Sequence, residues 1–145
     1  MGRLMGLDVG TQTIGVAISD PTRMLASPDR TIRRQSVAKD VAAIAEIVRA
    51  RAIEGVIVGL PYELEGGERR SAKLARQIGE AVITETGLPV TYIDERFTSV
   101  EAEQRMRAAG MSSKKRAEII DQAAAALILQ SYLDHGDWTQ DERPR

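Results

Sequence analysis

The 145-residue sequence contains no cysteine and a single histidine, His135. Without thiols there can be no disulfide, thiolate zinc site, iron–sulfur cluster or cysteine nucleophile. One histidine near the C-terminus builds neither a His-rich metal site nor a Ser/His/Asp relay. Aromatic residues are scarce: Tyr62, Tyr92, Phe97, Tyr132 and Trp138 are too scattered for a platform on which nucleic-acid bases stack. No apolar run approaches the ~18 residues of a membrane span. The first residues, Met1 to Gly6, lead straight into strand-like sequence, with no signal-peptide core or cleavage site. A Walker-type phosphate loop is missing, and Gly6-x-x-x-Gly10 lacks the helix start that a dinucleotide fingerprint demands. These absences predict a soluble, cytoplasmic, single domain in which any metal ion sits on oxygen ligands, as Mg²⁺, Mn²⁺ or Ca²⁺ does.

Charge of one sign is also missing overall, with 20 Lys and Arg against 21 Asp and Glu, but its placement is uneven. Between Arg23 and Arg51 stand seven bases (Arg23, Arg30, Arg33, Arg34, Lys39, Arg49, Arg51) and only three acids, Asp29, Asp40 and Glu46. Between Arg105 and Arg116 stand five bases and no acid. Such stripes are either solvated helix faces or surfaces that meet a polyanion.

Arg3–Val9 and Ile14–Ser19 read as strands joined by a small polar turn, Gly10-Thr11-Gln12-Thr13, and a weaker strand follows over Ser27–Arg33. Val37, Val41, Ile44 and Val48 recur at helical spacing behind Ser36, a candidate N-cap. Glu54–Leu60 is β-branched and apolar at consecutive positions, as in a strand covered on both faces. A helix over Glu68–Thr86 carries Leu74, Ile78 and Val82 in register and stops at Gly87 and Pro89. Val90–Asp94 is a short strand. Thr98-Ser99-Val100-Glu101 fits a capping box for a helix to Ala109, and a last helix spans Ser113–Leu133. Residues 135–145 read as a flexible tail behind a domain of residues 1–134. The order β-β-β-α-β-α-β-α-α predicts an α/β fold: a mixed five-stranded sheet with helices on both faces, in the ribonuclease-H-like topology.

Acids fall at the ends of these elements. Asp8 closes the first strand beside Gly6 and Gly10, Asp94-Glu95 closes the last, and Asp121 lies early in the final helix next to an alanine run. Each has an ordinary reading: Asp8 as a turn residue, Glu95 as a local partner of Arg96, and Asp121 as half of a buried salt bridge. The alternative is that the three converge where open α/β sheets place ligands and share a divalent cation, which would offset their mutual repulsion. Asp20, in Ser-Asp-Pro, reads as a structural turn residue. The Gly59-Leu60-Pro61 and Gly66-Gly67 segment is either a phosphate-holding loop ahead of a helix or a linker.

Several blocks together carry a resemblance. They are Met5-Gly6-Leu7-Asp8-Val9-Gly10-Thr11, Ile14-Gly15-Val16-Ala17, Ser19-Asp20-Pro21, Val58-Gly59-Leu60-Pro61, Asp94-Glu95-Arg96-Phe97-Thr98-Ser99, Lys114-Lys115 and Asp121-Gln122-Ala123-Ala124-Ala125. In this order they resemble the YqgF family, also called RuvX, of Holliday-junction-resolvase-like proteins and pre-16S rRNA nucleases. The resemblance implies a ribonuclease-H-like nuclease that matures the 5′ end of 16S rRNA in the bacterial cytoplasm. Resolution of four-way DNA junctions is the alternative substrate. It further implies an acidic triad at Asp8, Glu95 and Asp121 holding Mg²⁺ or Mn²⁺ for two-metal hydrolysis. Arg96 would contact the scissile phosphate, and Lys114, Lys115 and Arg116 would track the nucleic-acid backbone, in a monomer or homodimer. In the first loop this chain departs from the family, with Gln12-Thr13 where a basic pair is common. Two other classes share features: an actin-like or Hsp70-like phosphotransferase, which needs two such domains, and a non-catalytic rRNA- or transcription-associated factor.

Overall fold

The computed structural model describes residues 2–60, 69–94 and 113–135, with the backbone alone at 69–71, 113–119, 121 and 135. The elements are β1 (Arg3–Val9), β2 (Thr13–Ser19), β3 (Ala26–Arg33), α1 (Val37–Arg51), β4 (Ile53–Leu60), α2 (Arg69–Thr86), β5 (Val90–Asp94) and α3 (Ser113–His135). The last helix runs two residues past its expected end. The helix expected over residues 98–109, the Gly66-Gly67 loop and residues 136–145 lie outside the described residues.

The five strands form one mixed sheet in the order β3-β2-β1-β4-β5. β1, β2 and β3 are successive antiparallel neighbours, while β4 and β5 run parallel to β1. The central strands β1 and β4 are the ones written as continuous apolar runs, because both of their faces are covered. β3 is one of the two edge strands of this order, where Pro28 can lack a donor without breaking an interior ladder.

Alternation along β1 sends its side chains to two different cores. Met5, Leu7 and Val9 join Ile14, Val16, Val56 and Val58 beneath Val41, Ile44 and Val48 of α1 and Ala75, Ile78 and Val82 of α2. Leu4 joins Ala17, Ile57 and Ile93 beneath Ala125, Ile128 and Leu129 of α3. Helices therefore cover both faces, as expected, with α3 the one helix on the second among the described residues.

Local chemistry closes these elements. Ser36 caps α1, its hydroxyl accepting from the Lys39 N–H at 3.1 Å. Gly87 takes φ +75 after α2, and its N–H donates to the Ile83 carbonyl at 2.8 Å. Asp40, in the first turn of α1 and 1% exposed, accepts from Arg34 Nε at 2.8 Å and the Gln35 N–H at 2.9 Å. The Arg34 N–H in turn donates to the Gln12 carbonyl at 2.9 Å, so this buried pair ties the end of β3 to the β1–β2 turn.

Asp20 is the hub of the β2–β3 connection. Its carboxylate accepts from the Thr22 hydroxyl and from the backbone N–H groups of Thr22, Met24 and Leu25. These bonds, the Thr22 hydroxyl first, hold its carboxyl well below the usual carboxylate range. A depressed folded-state pKa contributes stability above the unfolded value of about 3.9, and that contribution fades as pH falls through the folded value. Asp20→Asn is therefore expected to lower Tm at neutral pH, with the gap to wild type narrowing below about pH 4. A gap that stays constant on acidification would show that the charge on Asp20 plays no part.

Candidate active site

Asp8 is the only one of the expected acids whose side chain is among the described residues. It lies one residue from the C-terminal end of β1, half-buried, on the same face as Leu4 and Gly6. That face belongs to α3. Gly6 is what lets the helix approach: a Cβ at Gly6 would stand 2.8 Å from Leu129 Cβ and 2.9 Å from the Ala125 carbonyl oxygen. Only a residue without a side chain fits there.

The direction of α3 follows from Gln130. Its amide accepts from the Ala26 N–H at 2.8 Å and donates to the Met24 carbonyl at 3.1 Å, at the start of β3. Ala26 pairs with Ser19, whose hydroxyl accepts from the Leu4 N–H, so Gln130 stands at the N-terminal end of β1. Running backwards along α3, Ala125 lies over Gly6, and Asp121 is one turn further, about 5–6 Å toward the Asp8 end. The fold thus brings the backbone of Asp121 to the end of the sheet where Asp8 sits.

On the other side of β1 the register runs from Leu7↔Val58 through Gly59↔Ile93 to Leu60↔Asp94. Asp94 therefore ends β5 near the level of Asp8, two strand spacings or about 10 Å away. Glu95, bonded to Asp94, and Arg96 lie outside the described residues. Lys114, Lys115 and Arg116 occupy the first turn of α3, five to seven residues ahead of Asp121, or about 8–10 Å along the axis.

Two features of this end were not anticipated from sequence. The first is the buried Arg34–Asp40 pair behind the β1–β2 turn. Its signal was available: an acid in the first turn of a capped helix, six residues after an arginine. The second is Thr31, which pairs with Gly15, the partner of Asp8. Its hydroxyl is the buried side-chain oxygen among the described residues that makes no hydrogen bond, although each unmade bond of this kind costs about 1–3 kcal/mol. A shallow cavity lined by Arg30, Glu46, Ile47, Ala50 and Arg51 belongs to the opposite, α1 side of the sheet.

Among the described residues no three metal-binding side chains gather, and of the expected set Asp8, Glu95 and Asp121 only the side chain of Asp8 is among them. The donor chemistry is nevertheless selective. The chain offers this end carboxylates and no thiol, and the close seating of α3 on Gly6 keeps the Asp121 turn near Asp8. All-oxygen donors of this kind suit a hard divalent cation.

A family model described as RuvX: Holliday junction resolvase matches residues 2–135. A protein of Moorella thermoacetica named "Putative pre-16S rRNA nuclease" is 46% identical over 132 residues, covering 91% of this chain and 94% of that one. A protein of the same name from Rhodobacter capsulatus is 45% identical over 134 residues, covering 92% and 84%. Among solved structures, RuvC of T. thermophilus in complex with a Holliday junction substrate superposes with a TM-score of 0.62 at 16% identity, covering 94% of this chain and 97% of that one. At that identity the likeness shows the fold, and it is the RuvC-like ribonuclease-H arrangement.

Proposed function

The chain belongs to the RuvX family, and on that premise we propose that it is a metal-dependent nuclease hydrolysing phosphodiester bonds in the 5′-end maturation of pre-16S rRNA. One observation of the structure carries the reading. A carboxylate stands at the C-terminal end of the central strand, on the face of a helix locked one turn away from a second acid. RNA as substrate rests on the names borne by relatives that share more than two-fifths of their residues with this chain.

Asp8, Glu95 and Asp121 would hold Mg²⁺ or Mn²⁺. When bound, two such ions supply an acidified water as nucleophile and stabilise the leaving oxygen. The protein's own contribution is placement. Asp8 is held by a strand paired on both sides, so its position costs no reorganisation during reaction. Lys114, Lys115 and Arg116 stand at the helix end where the dipole disfavours cations. Their charge there is better explained by phosphates they neutralise than by helix stability. Arg96, next to Glu95, would contact the scissile phosphate through its planar fork. Hydrolysis of a single RNA strand needs one such centre and so a monomer suffices, whereas symmetric cutting of a DNA junction needs a homodimer. No helix among the described residues is long and apolar enough to cross a membrane. Work on pre-rRNA would take place in the cytoplasm.

The test is incubation of the purified chain with Mg²⁺ or Mn²⁺ and a matched panel: single-stranded RNA, a pre-16S 5′-leader RNA and a four-way DNA junction. Metal-dependent cutting of the leader RNA is expected. Cutting of the junction alone would replace this reading with resolvase, and cutting of nothing would leave a non-catalytic rRNA-associated factor.

A further inference from the structure

Folding sorts the seven cations between Arg23 and Arg51 into two groups. Four make ion pairs with three acids: Arg23 with Glu54 at 3.1 Å, Arg30 and Arg51 with Asp29 at 2.8 and 2.9 Å, and Arg34 with Asp40 at 2.8 Å. Arg33, Lys39 and Arg49 have no ion-pair partner among the described residues, and they divide between opposite ends of the sheet. Arg49 lies in the last turn of α1, beside the start of β4. A cation there complements the helix dipole and requires no other reason.

Arg33 and Lys39 lie at the Asp8 end. Arg33 is the last residue of β3 and pairs with Thr13, across the turn that follows Asp8. Ile32 packs into the core under α1, so by alternation Thr31 and Arg33 belong to the other face, the face of Asp8. Two strand spacings across and two residues along put Arg33 about 12 Å from Asp8. Lys39 stands in the first turn of α1, where the dipole opposes it. The backbone that presents Arg33 is fixed by the next residue, Arg34, whose N–H holds Gln12 and whose guanidinium holds Asp40. An exposed arginine on so anchored a strand end, facing an uncharged Gln12-Thr13 turn, has no ion-pair partner among the described residues to explain it.

We propose that Arg33 binds a backbone phosphate of the nucleic-acid strand away from the bond being cut. Arg33 lies on the β2–β3 side of Asp8, so this contact carries the strand away from the cleavage site across that side of the sheet. Arg33 is a positioning residue: it contacts substrate outside the reacting atoms. The inference rests on the nuclease reading for the identity of the site.

The full chain is titrated against a fluorescein-labelled single-stranded RNA by anisotropy in EDTA, across a salt series, and cleavage by the same proteins is then followed with Mg²⁺. Arg33→Gln is expected to raise Kd on the order of tenfold and to make the salt dependence shallower by about one ion. In cleavage KM should rise with kcat within about twofold, the mark of a contact made equally in ground and transition states. Arg33→Lys should recover most of the binding, and Arg49→Gln, the same charge change at the far end, should bind as wild type does. Unchanged binding by Arg33→Gln, or an equal loss in Arg49→Gln, overturns the inference while leaving the nuclease intact. Weakened binding by Arg33→Gln in a chain that cuts nothing supports the contact and removes the nuclease reading. A wild-type chain that binds no RNA overturns both.

Discussion

Asp8→Asn is expected to abolish metal-dependent cleavage without unfolding the protein. The substitution keeps the shape of the side chain on a strand whose backbone is paired on both sides, so packing is preserved. What it removes, on the proposed reading, is the charge that would hold a divalent ion against a phosphate. Metal-based stabilisation of a phosphoryl transition state is worth several kcal/mol, and about 4 kcal/mol corresponds to a rate loss on the order of 10³-fold. A second consequence concerns stability. Carboxylates gathered without a cation repel one another, so in EDTA the variant should melt no lower than wild type. Millimolar Mg²⁺ should raise the Tm of wild type and not that of the variant, because only a folded state that binds the ion gains from it. Cleavage by the variant at the wild-type rate would remove Asp8 from the centre altogether.

Gly6→Ala is the second large effect, and it acts through the helix rather than on the chemistry. The added Cβ would meet Leu129 Cβ at 2.8 Å and the Ala125 carbonyl oxygen at 2.9 Å, where ordinary contact begins at 3.4 Å. Neither neighbour is the free end of a flexible side chain, so α3 must lift from β1 by more than half an ångström. Forced overpacking of this kind costs about 1–3 kcal/mol, or about 3–10 °C in Tm for a domain of this size. The displaced helix carries Asp121, and a misplacement near 1 Å can cost about 10²-fold in rate. The matched comparison is Gly55→Ala, also on the sheet face under α3. Its Cβ would meet Leu4 Cδ2 at 2.9 Å, the end of a side chain that can turn aside, so both Tm and rate should stay near wild type. Equal behaviour of the two variants would show that the contact between α3 and β1 does not position the site.

The central strands were legible in the sequence because burial on both faces demands nearly uninterrupted apolar residues, and β1 and β4 could be written down from that demand. So were the helices, because Val41, Ile44 and Val48 or Ile78 and Val82 must recur at helical spacing to face a sheet. The turn role of Asp20 and the cap at Ser36 followed from local hydrogen-bond chemistry, which acts over a few residues. Asp8 could be singled out as an acid at the end of a strand between glycines, and Glu95 and Asp121 as acids at the ends of other elements, the same three that the family resemblance implies. Whether they converge could not be reached from periodicity, and the side chains of Glu95 and Asp121 lie outside the described residues.

Charge shows most clearly where the linear chain stops being informative. Seven bases in one stretch looked like a single stripe, yet four are paired with acids, among them Glu54, 31 residues from Arg23, and Asp29, 22 residues from Arg51. Coulomb interactions depend on distance in space, and sequence order does not encode it. The same holds for Gly6, whose packing role stays hidden in the sequence because Ala125 and Leu129, which press on it, come more than 110 residues later. Local propensity and hydrophobic period are properties of neighbouring residues, and they were readable directly. Which acid neutralises which base, and which turn of α3 stands above Asp8, are products of the β3-β2-β1-β4-β5 strand order and of the one glycine that admits a helix to its surface.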